Sequence, residues 1–231
     1  MWLKRLFGLA GPSHDPETLD RYRALRQIGR DLQVRVIREL PKSALPECAK
    51  KLGLVKAGTL IINQDDEIAI AYDYCLRHFR RQGKNQIERA LEESLEPHER
   101  AWLEALNQAH FSVFAVESIK GHHGALLRDL IRNEEIDLID QSVASTGQPG
   151  LLLVGRILKI EGIQLSTGTL IPVPPGVFER HILPAYKKFG LGENHDFPPL
   201  SQSQSAALEA QVTRIALHEA GEDNSFFSDI D

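Results

Sequence analysis

Apolar residues recur at helical spacing along the first 110 residues of the chain. Asp15-Pro16-Glu17 has the composition of a helix start, because a side-chain acceptor precedes a proline at the first helical position. Apolar residues from Leu19 to Leu40 then form one stripe with a helical period, and Pro41 is expected to end this helix. Shorter helices are predicted over 43–53 and 65–81, and on both sides of Pro97.

The predicted helix over 65–81 has two different faces. At about 100° per residue, its apolar side carries Ile68, Tyr72, Cys75 and Phe79. The opposite side carries Arg77, Arg80, Arg81 and Lys84, and Gly83 is expected to end the helix. Cys75 is therefore predicted to be a core thiol, which disfavours nucleophilic or redox chemistry at this residue.

The period changes to two residues at Phe111, where short strands separated by turn residues begin. The predicted strand segments are 111–119, 125–131, 136–139, 151–160, 163–165 and 169–173. This spacing predicts an antiparallel meander or small barrel. A short helix within 175–189, which Pro184 could interrupt, and a further helix over 206–220 are expected to follow.

These elements predict an α+β protein with a helical N-terminal half, a small antiparallel β meander or barrel, and a C-terminal helix. We expect a helical region over 1–110, a β module with its following helix over 111–187, and a third region over 188–231. The third region should contain a linker, the C-terminal helix and a flexible acidic tail. The 231 residues are 42% hydrophobic and 26% charged. This composition argues against a mostly disordered, collagen-like or membrane-spanning chain.

Several segments of the strand-rich region have a combined pattern of strands and turns. They are Phe111-Ser112-Val113-Phe114-Ala115-Val116, Leu127-Arg128-Asp129-Leu130, Leu138-Ile139-Asp140-Gln141-Ser142, Gly150-Leu151-Leu152-Leu153-Val154-Gly155-Arg156-Ile157 and Glu161-Gly162. Together they resemble the region that precedes the metal-binding motif of uncharacterised bacterial SEC-C-containing proteins. The resemblance covers residues 111–173 and implies an accessory β module without an established reaction, and with it we expect a bacterial protein. The zinc-binding cysteine cluster of that family does not carry over, since no cysteine follows Cys75.

The histidines and cysteines give no metal-ligand pattern, so we expect neither a metal nor a cofactor. His122-His123 are adjacent and would point to opposite faces of a strand, which favours a role in a hairpin turn. His195-Asp196 and His218-Glu219 lack the spacing that places two ligands on one helical face. Nucleotide-binding loops and the hydrolase elbow are also missing from the sequence. The two cysteines favour a reducing, cytoplasmic location.

Asp129 and Arg156 are the polar residues of the β module with the strongest claim on a special role. A turn or an ion pair explains such residues more often than catalysis does, because structural networks also hold buried charges. A pocket near the β module with at least two converging charged side chains would instead favour an enzyme of unrecognised type. A smooth module packed against the helices would favour a non-enzymatic protein.

Charge is distributed unevenly along the chain. Residues 1–91 carry 17 Lys and Arg against 11 Asp and Glu, whereas residues 92–231 carry 10 against 21. The basic side chains on the 65–81 helix, together with Arg23, Arg26 and Arg30, could neutralise nucleic-acid phosphates. No aromatic residue interleaves them and no recognised nucleic-acid motif is present, so a solvated basic face is favoured.

The two ends of the chain suggest further contacts. A short amphipathic helix on a membrane surface could form from Trp2, Leu3, Leu6 and Phe7, but an arm that docks on the protein's own core is favoured. Neither a secretory signal nor a membrane span is expected. The acidic segment 222–231 contains Phe226, Phe227 and Ile230, which a protein partner could bury, although an inert end is the alternative. The sequence thus favours a non-enzymatic binding or adaptor protein of unknown oligomeric state, with an unrecognised enzyme as the alternative.

Overall fold

A computed structural model describes residues 14–62, 65–191 and 199–219 of the chain. The predicted N-terminal arm, the His195-Asp196 pair and the acidic tail with Phe226, Phe227 and Ile230 lie outside the described residues. The first half is helical, as predicted. Its elements are α1 (Pro16–Arg38), α2 (Ala44–Lys51), β1 (Val55–Lys56), β2 (Thr59–Leu60), α3 (Asp65–His78), α4 (Gln86–Ala90) and α5 (Pro97–Gln108).

The start of α1 follows the predicted capping chemistry. The Asp15 carboxylate accepts a hydrogen bond from the backbone N–H of Thr18 at 2.9 Å, and Pro16 occupies the first helical position. Asn85 caps α4 in the same way, and the side chain of Glu88 completes a capping box. These caps satisfy N–H groups that have no partner within the helix.

The end of α3 differs from the prediction. The helix stops at His78, so Arg80, Arg81 and Lys84 lie in the connection that follows it. Arg81 and Lys84 form a β-bridge, and the two residues between them, Gln82 and Gly83, both have positive φ angles of 51° and 82°. Two successive positive φ angles make a tight reversal, so Gly83 belongs to a turn instead of a helix end.

The buried side of α3 is also broader than predicted. Cys75 is fully buried, which confirms its place in the core, but Ile68 is 37% exposed. The buried apolar positions of the helix are Ile70, Ala71, Tyr74, Cys75 and Leu76. Helix α3 contacts α2, α4 and α9 as well as strand β7, so it packs on several sides instead of along one stripe.

A closed five-stranded barrel forms the centre of the protein. Its strands are β3 (His110–Lys120), β4 (Gly124–Asp129), β5 (Glu135–Ile139), β6 (Leu152–Ile160) and β7 (Ile163–Val173). The order around the barrel is β3-β4-β5-β7-β6, and β3 pairs with β6 to close it. Neighbouring strands are antiparallel except β5 and β7, which pair in parallel. The barrel alternative is thus confirmed, with one parallel pair that the sequence did not indicate.

Two features of the barrel depart from regular strands. The sequence did not predict α6 (Gln141–Thr146), which Asp140 caps by accepting a hydrogen bond from Val143 at 3.0 Å. In the β6–β7 ladder, Gly155 pairs with Leu170 and Ile157 with Ser166, so residues 167–169 of β7 stand opposite the single residue 156 of β6. Such a bulge bends its strand and changes the direction of nearby side chains.

In the residues that the structure describes, three helices and one π-helical turn follow the barrel and cover one side of it. They comprise α7 (Pro175–Val177), a π-helical turn (Phe178–Ile182), α8 (Leu183–Lys187) and α9 (Gln202–Glu219). Pro184 lies in the first turn of α8, directly after the π-helical turn, so it marks the change from π-helical to α-helical geometry within a continuous helical segment. Within the described part of the chain, no helix is both long and apolar enough to cross a membrane.

The hydrophobic core consists of three clusters. One fills the barrel with side chains such as Phe114, Leu127 and Leu153. The other two lie between the barrel and the surrounding helices, and each combines residues from before and after position 110. Tyr74 and Val154, for example, share one of these clusters. The helices and barrel therefore bury apolar surface against each other, and the predicted three-part division stays a prediction.

Candidate functional site

A cavity of about 340 Å³ lies where the barrel meets helices α3, α8 and α9. We call it the junction pocket. Its charged and hydrogen-bonding side chains include Arg77, His110, Arg132, Arg156, Tyr186 and Glu209. They come from elements that are far apart in the sequence, so the fold assembles the pocket. A pocket with converging charged side chains beside the β module is the arrangement that was expected to favour the enzyme alternative.

Arg156 is the central charge of this region. It is only 2% exposed, although strand β6 around it is almost entirely apolar. Its guanidinium donates to Asp73 at 3.2 Å, to the carbonyl oxygen of Ala109 at 3.4 Å, and to Glu209. Its carbon atom Cζ also lies 5.9 Å from the centre of the Phe111 ring. Arg156 is thus anchored from several directions and has a formed set of partners.

Glu209 on α9 links Arg156 to a histidine on α3. Its carboxylate lies 2.9 Å from Nε2 of His78 and is also paired with Arg156. Burial alone would raise the pKa of Glu209, but the charge of Arg156 and the hydrogen bond from His78 outweigh burial and lower this pKa. Glu209 is therefore ionised at neutral pH and is poorly suited to donate a proton.

Arg77 has much weaker pairing than Arg156. Its Nη1 donates to the carbonyl oxygen of Leu106 at 3.0 Å, and no carboxylate among the described residues forms an ion pair with it. Burial and the nearby charge of Arg156 together lower the pKa of Arg77 to about 10, although the charges of Glu209, Asp73 and Glu88 partly oppose this shift. The pocket wall consequently contains a guanidinium whose charge lacks a direct counter-ion.

Asp129 supports the turn that carries Arg132 into the pocket. It is fully buried, and its Oδ1 accepts hydrogen bonds from the Ser112 hydroxyl at 2.6 Å and from the N–H groups of Ile131 and Arg132. Its Oδ2 lies 3.2 Å from Arg132 and 3.3 Å from Nε2 of His110. Burial would raise the pKa of Asp129, but the hydrogen bonds lower it overall.

This arrangement is not that of a serine hydrolase. A catalytic triad places the histidine between the serine and the carboxylate. Here the carboxylate of Asp129 lies between Ser112 and His110, so its contacts do not put the histidine on the serine hydroxyl. Asp129 has the geometry of a turn residue and Arg156 that of an ion pair, as the sequence favoured.

Tyr186 contributes a hydroxyl group without a partner. The residue is 3% exposed and lines the junction pocket, yet its hydroxyl makes no hydrogen bond within the described residues. Burial raises the pKa of Tyr186, and the negative charge of Asp129 raises it further. The group therefore stays protonated and can donate to a bound oxygen. A buried hydroxyl without a partner is costly, so a ligand or a water molecule is its natural complement.

The model of DUF7986, a family of unknown function, matches residues 16–196 of the chain. The chain belongs to this family. No curated protein and no solved structure matches it. The match extends through α1 to α8 and contains Arg77, Arg156 and Tyr186, whereas Glu209 lies beyond it. Family membership thus includes the barrel and most of the junction pocket and assigns no activity.

The predicted basic face divides between the core and the surface. Arg77 points into the junction pocket, which corrects its assignment to the outer side of the helix. Arg80 forms hydrogen bonds with both carboxylate oxygens of Glu88, at 2.9 and 3.2 Å, and Lys84 pairs with Glu92. The basic residues on α1 also have partners: Arg23 pairs with Asp20, Arg26 donates to Ser166, and Arg30 donates to Gln27.

The outer surface of the barrel gives little support to nucleic-acid binding. Five-stranded barrels of the OB type bind oligonucleotides on the face of their second and third strands, which here are β4 and β5. That face has no aromatic residue for base stacking. Its charges are paired, since Arg128 contacts Glu117 and Lys120 contacts Asp137. A shared architecture alone does not assign a function.

The His122-His123 and His218-Glu219 pairs lie in a turn and on helix α9, respectively, as the sequence indicated. His122 and His123 lie in the turn between β3 and β4. His218 is near the end of α9 and lies 3.5 Å from Glu219. Among the described residues, no group of three or more His, Cys, Asp or Glu side chains is arranged to hold a metal ion.

Sequence reasoning missed Tyr186, Glu209, His78 and Asp73 as parts of the site. One signal was available for the charged members. Arg156 interrupts the apolar run 151–158, and Glu209 stands among small and apolar residues of α9. A charge at a buried position needs an opposite charge, so these two residues could have been considered as partners. The sequence contains no comparable signal for Tyr186.

Proposed function

We propose that the protein is a binding protein for a small anionic molecule and that the junction pocket is its binding site. The observation that carries this proposal is Arg77, a partly buried guanidinium in the pocket wall with a carbonyl oxygen as its partner and, among the described residues, no direct carboxylate partner. The hydroxyl of Tyr186 offers a second donor without a partner. The proposal retains a non-enzymatic binding role and places it in the pocket instead of the acidic tail.

The charges around the pocket favour a carboxylate or phosphate group as the bound anion. Arg156 is balanced by Asp73 and Glu209, so it has little charge left to offer. Arg132 pairs with Asp129 but has a partly exposed side chain that also lines the pocket. An anion near Arg77 would gain a charge-assisted hydrogen bond and relieve the positive charge that burial leaves uncompensated. The cavity volume of about 340 Å³ suits a small ligand.

A titration with two simple anions tests this site. Inorganic phosphate and succinate are added separately to the purified protein, and binding is measured by isothermal titration calorimetry and by the rise of the melting temperature. At least one anion is expected to bind saturably to the wild type. Arg77→Met should abolish that binding, and Tyr186→Phe should weaken it about tenfold because one donor is lost. Arg80→Met removes a charge outside the pocket and should leave binding unchanged.

The outcomes separate a real site from general charge effects. Equal loss of binding in Arg77→Met and Arg80→Met would show that only net charge matters, which contradicts the proposal. Failure of both anions to bind the wild type saturably would also reject it. The unfolding curves of the three variants show whether each remains folded, so a loss of binding can be distinguished from a loss of structure.

The second candidate is an enzyme that acts on the same anion. The favouring observation is the pair of His110 and Asp129, in which Nε2 lies 3.3 Å from the carboxylate and the imidazole lines the pocket. A histidine oriented by a carboxylate is a common general acid or base. If the ligand is converted, His110→Ala should abolish turnover and retain binding. If no product forms at saturating ligand, the binding role stands.

Two further parts of the proposal concern location and relatives. Burial of both free cysteines is compatible with the reducing cytoplasm in which we place the protein. Similarity of the barrel to the strand-rich region of SEC-C-containing proteins stays a prediction, as do the protein partner of the acidic tail and a bacterial origin.

A further inference from the structure

A second cavity lies on the other side of the ion pair between Arg156 and Asp73. Its volume is about 280 Å³, and it opens between helices α1 and α3, with α5 and strand β7 behind. We call it the bulge pocket because the β7 bulge, residues 167–169, forms part of its wall. Asp73 lines this pocket, whereas Arg156 lines the junction pocket. The two cavities are therefore neighbours with separate linings.

Two buried polar groups of the bulge pocket have no partner among the described residues. Trp102 is 1% exposed, and its indole N–H makes no hydrogen bond. Thr167 is 7% exposed, and its hydroxyl makes none either. Both residues line the pocket. Since most buried polar groups are satisfied, two unsatisfied ones in one cavity indicate that something else completes the site.

The bulge itself is held in place by helix α1. Arg26 donates to the carbonyl oxygen of Ser166 at 2.9 Å, and Gln33 donates to that of Thr167 at 3.3 Å. These bonds tie the bulge and the residue before it to α1 and give both carbonyl oxygens a partner. The Thr167 hydroxyl receives no such partner, so the contacts that stabilise the bulge do not explain this side chain.

The chemistry of the lining defines the class of ligand. An indole N–H can only donate, so the ligand must present an acceptor. Arg26 and Arg30 add positive charge to the same wall, and the acidic lining residue Asp73 is already paired with Arg156, so the wall favours an anionic acceptor. Ile37, Ile68 and Leu76 supply an apolar surface for the rest of the molecule. We infer that the bulge pocket binds a small carboxylate with a compact hydrocarbon body and that Trp102 and Thr167 donate to its carboxylate.

The test uses benzoate as the probe and the indole N–H of Trp102 as the reporter. Trp2→Phe leaves Trp102 as the single tryptophan, so its ¹⁵N-labelled indole gives one resonance. This resonance is expected to shift saturably with benzoate, and less strongly with its neutral analogue benzamide or with inorganic phosphate. Thr167→Val should weaken benzoate binding about tenfold. Thr59→Val, at an exposed position of β2, is the matched control and should bind normally.

Three results would overturn the inference. They are a shift that does not saturate, equal affinities for benzoate and benzamide, and undiminished binding by Thr167→Val. Arg77→Met separates this site from the junction pocket, because benzoate should still shift Trp102 in that variant; loss of the shift would assign the probe to the other cavity. Without ligand, Thr167→Val should have a free energy of unfolding no lower than that of the parent protein, because the hydroxyl that it lacks has no hydrogen-bond partner among the described residues.

Discussion

Replacing Arg77 with methionine is expected to stabilise the ligand-free protein. Burial, together with the nearby charge of Arg156, lowers the pKa of this guanidinium well below its usual value, to about 10. One pKa unit corresponds to about 1.4 kcal/mol, so keeping Arg77 charged costs the folded state about 3 kcal/mol. Methionine removes the charge and retains an unbranched apolar side chain that can pack along the same path.

The loss of one hydrogen bond opposes this gain. Arg77 donates to the carbonyl oxygen of Leu106, and such a bond contributes about 1 kcal/mol. That oxygen also accepts a hydrogen bond from the backbone N–H of Ala109 at 3.2 Å, so it keeps a partner after the substitution. The net expectation is an increase of about 2 kcal/mol in the free energy of unfolding, which corresponds to a melting temperature about 5 °C higher.

Urea unfolding followed by far-ultraviolet circular dichroism measures this difference. Arg80→Met is the control, because Arg80 pairs with Glu88 while both side chains remain partly exposed. It should lower the free energy of unfolding by about 0.5 kcal/mol, the usual contribution of such a pair. If Arg77→Met unfolds at a lower urea concentration than the wild type, Arg77 has a structural role and its charge is not the uncompensated one that we describe.

Three other substitutions or treatments have definite expected results. Gly29→Ala should lower the melting temperature and the free energy of unfolding by about 2 kcal/mol or more, because its new Cβ would lie 2.1 Å from the buried ring of Trp102. Glu209→Gln should lower the free energy of unfolding by about 2 kcal/mol at neutral pH, measured in urea, because it removes one of the two carboxylates that pair with the buried Arg156. Because the pKa of Glu209 is lowered in the folded state, its carboxylate stabilises the fold fully above about pH 4.5, and this stabilisation is lost as the pH falls through the lowered pKa. The difference in the free energy of unfolding between wild type and Glu209→Gln should therefore shrink in acid. The thiols of Cys48 and Cys75 should react with a thiol reagent only after urea unfolds the protein, since both are 0% exposed; rapid reaction in buffer would contradict their burial.

Local signals in the sequence were sufficient for most of the secondary structure. The Asp15-Pro16 start of α1 and the start of α5 at Pro97 depend on chemistry within a few residues, and both were predicted. The end of α3 was not, because the positive φ angles of Gln82 and Gly83 create a reversal that resembles a helix end in sequence. Helix α6 was missed because a six-residue helix is too short to show a period.

The sequence pattern could not predict which residues far apart in the chain contact each other. Alternation of apolar residues indicated a meander or a barrel, but it could not show that β5 and β7 pair in parallel. The same limit applies to Arg77. Its angular position placed it opposite Cys75, but α3 packs on several sides, so a residue on the predicted outer face points into the junction pocket.

The buried ion network of the junction pocket is better explained by binding than by stability. Taking Arg156 and Glu209 out of water is costly, and apolar residues of similar size often stabilise a fold equally well or better. Their mutual pairing offsets much of that cost, yet Arg77 beside them adds a positive charge that pairs directly with no carboxylate of the described residues. A fold optimised for stability alone would have an apolar residue at this position. An arginine that destabilises the empty pocket and stabilises the occupied one is the arrangement expected of an anion site.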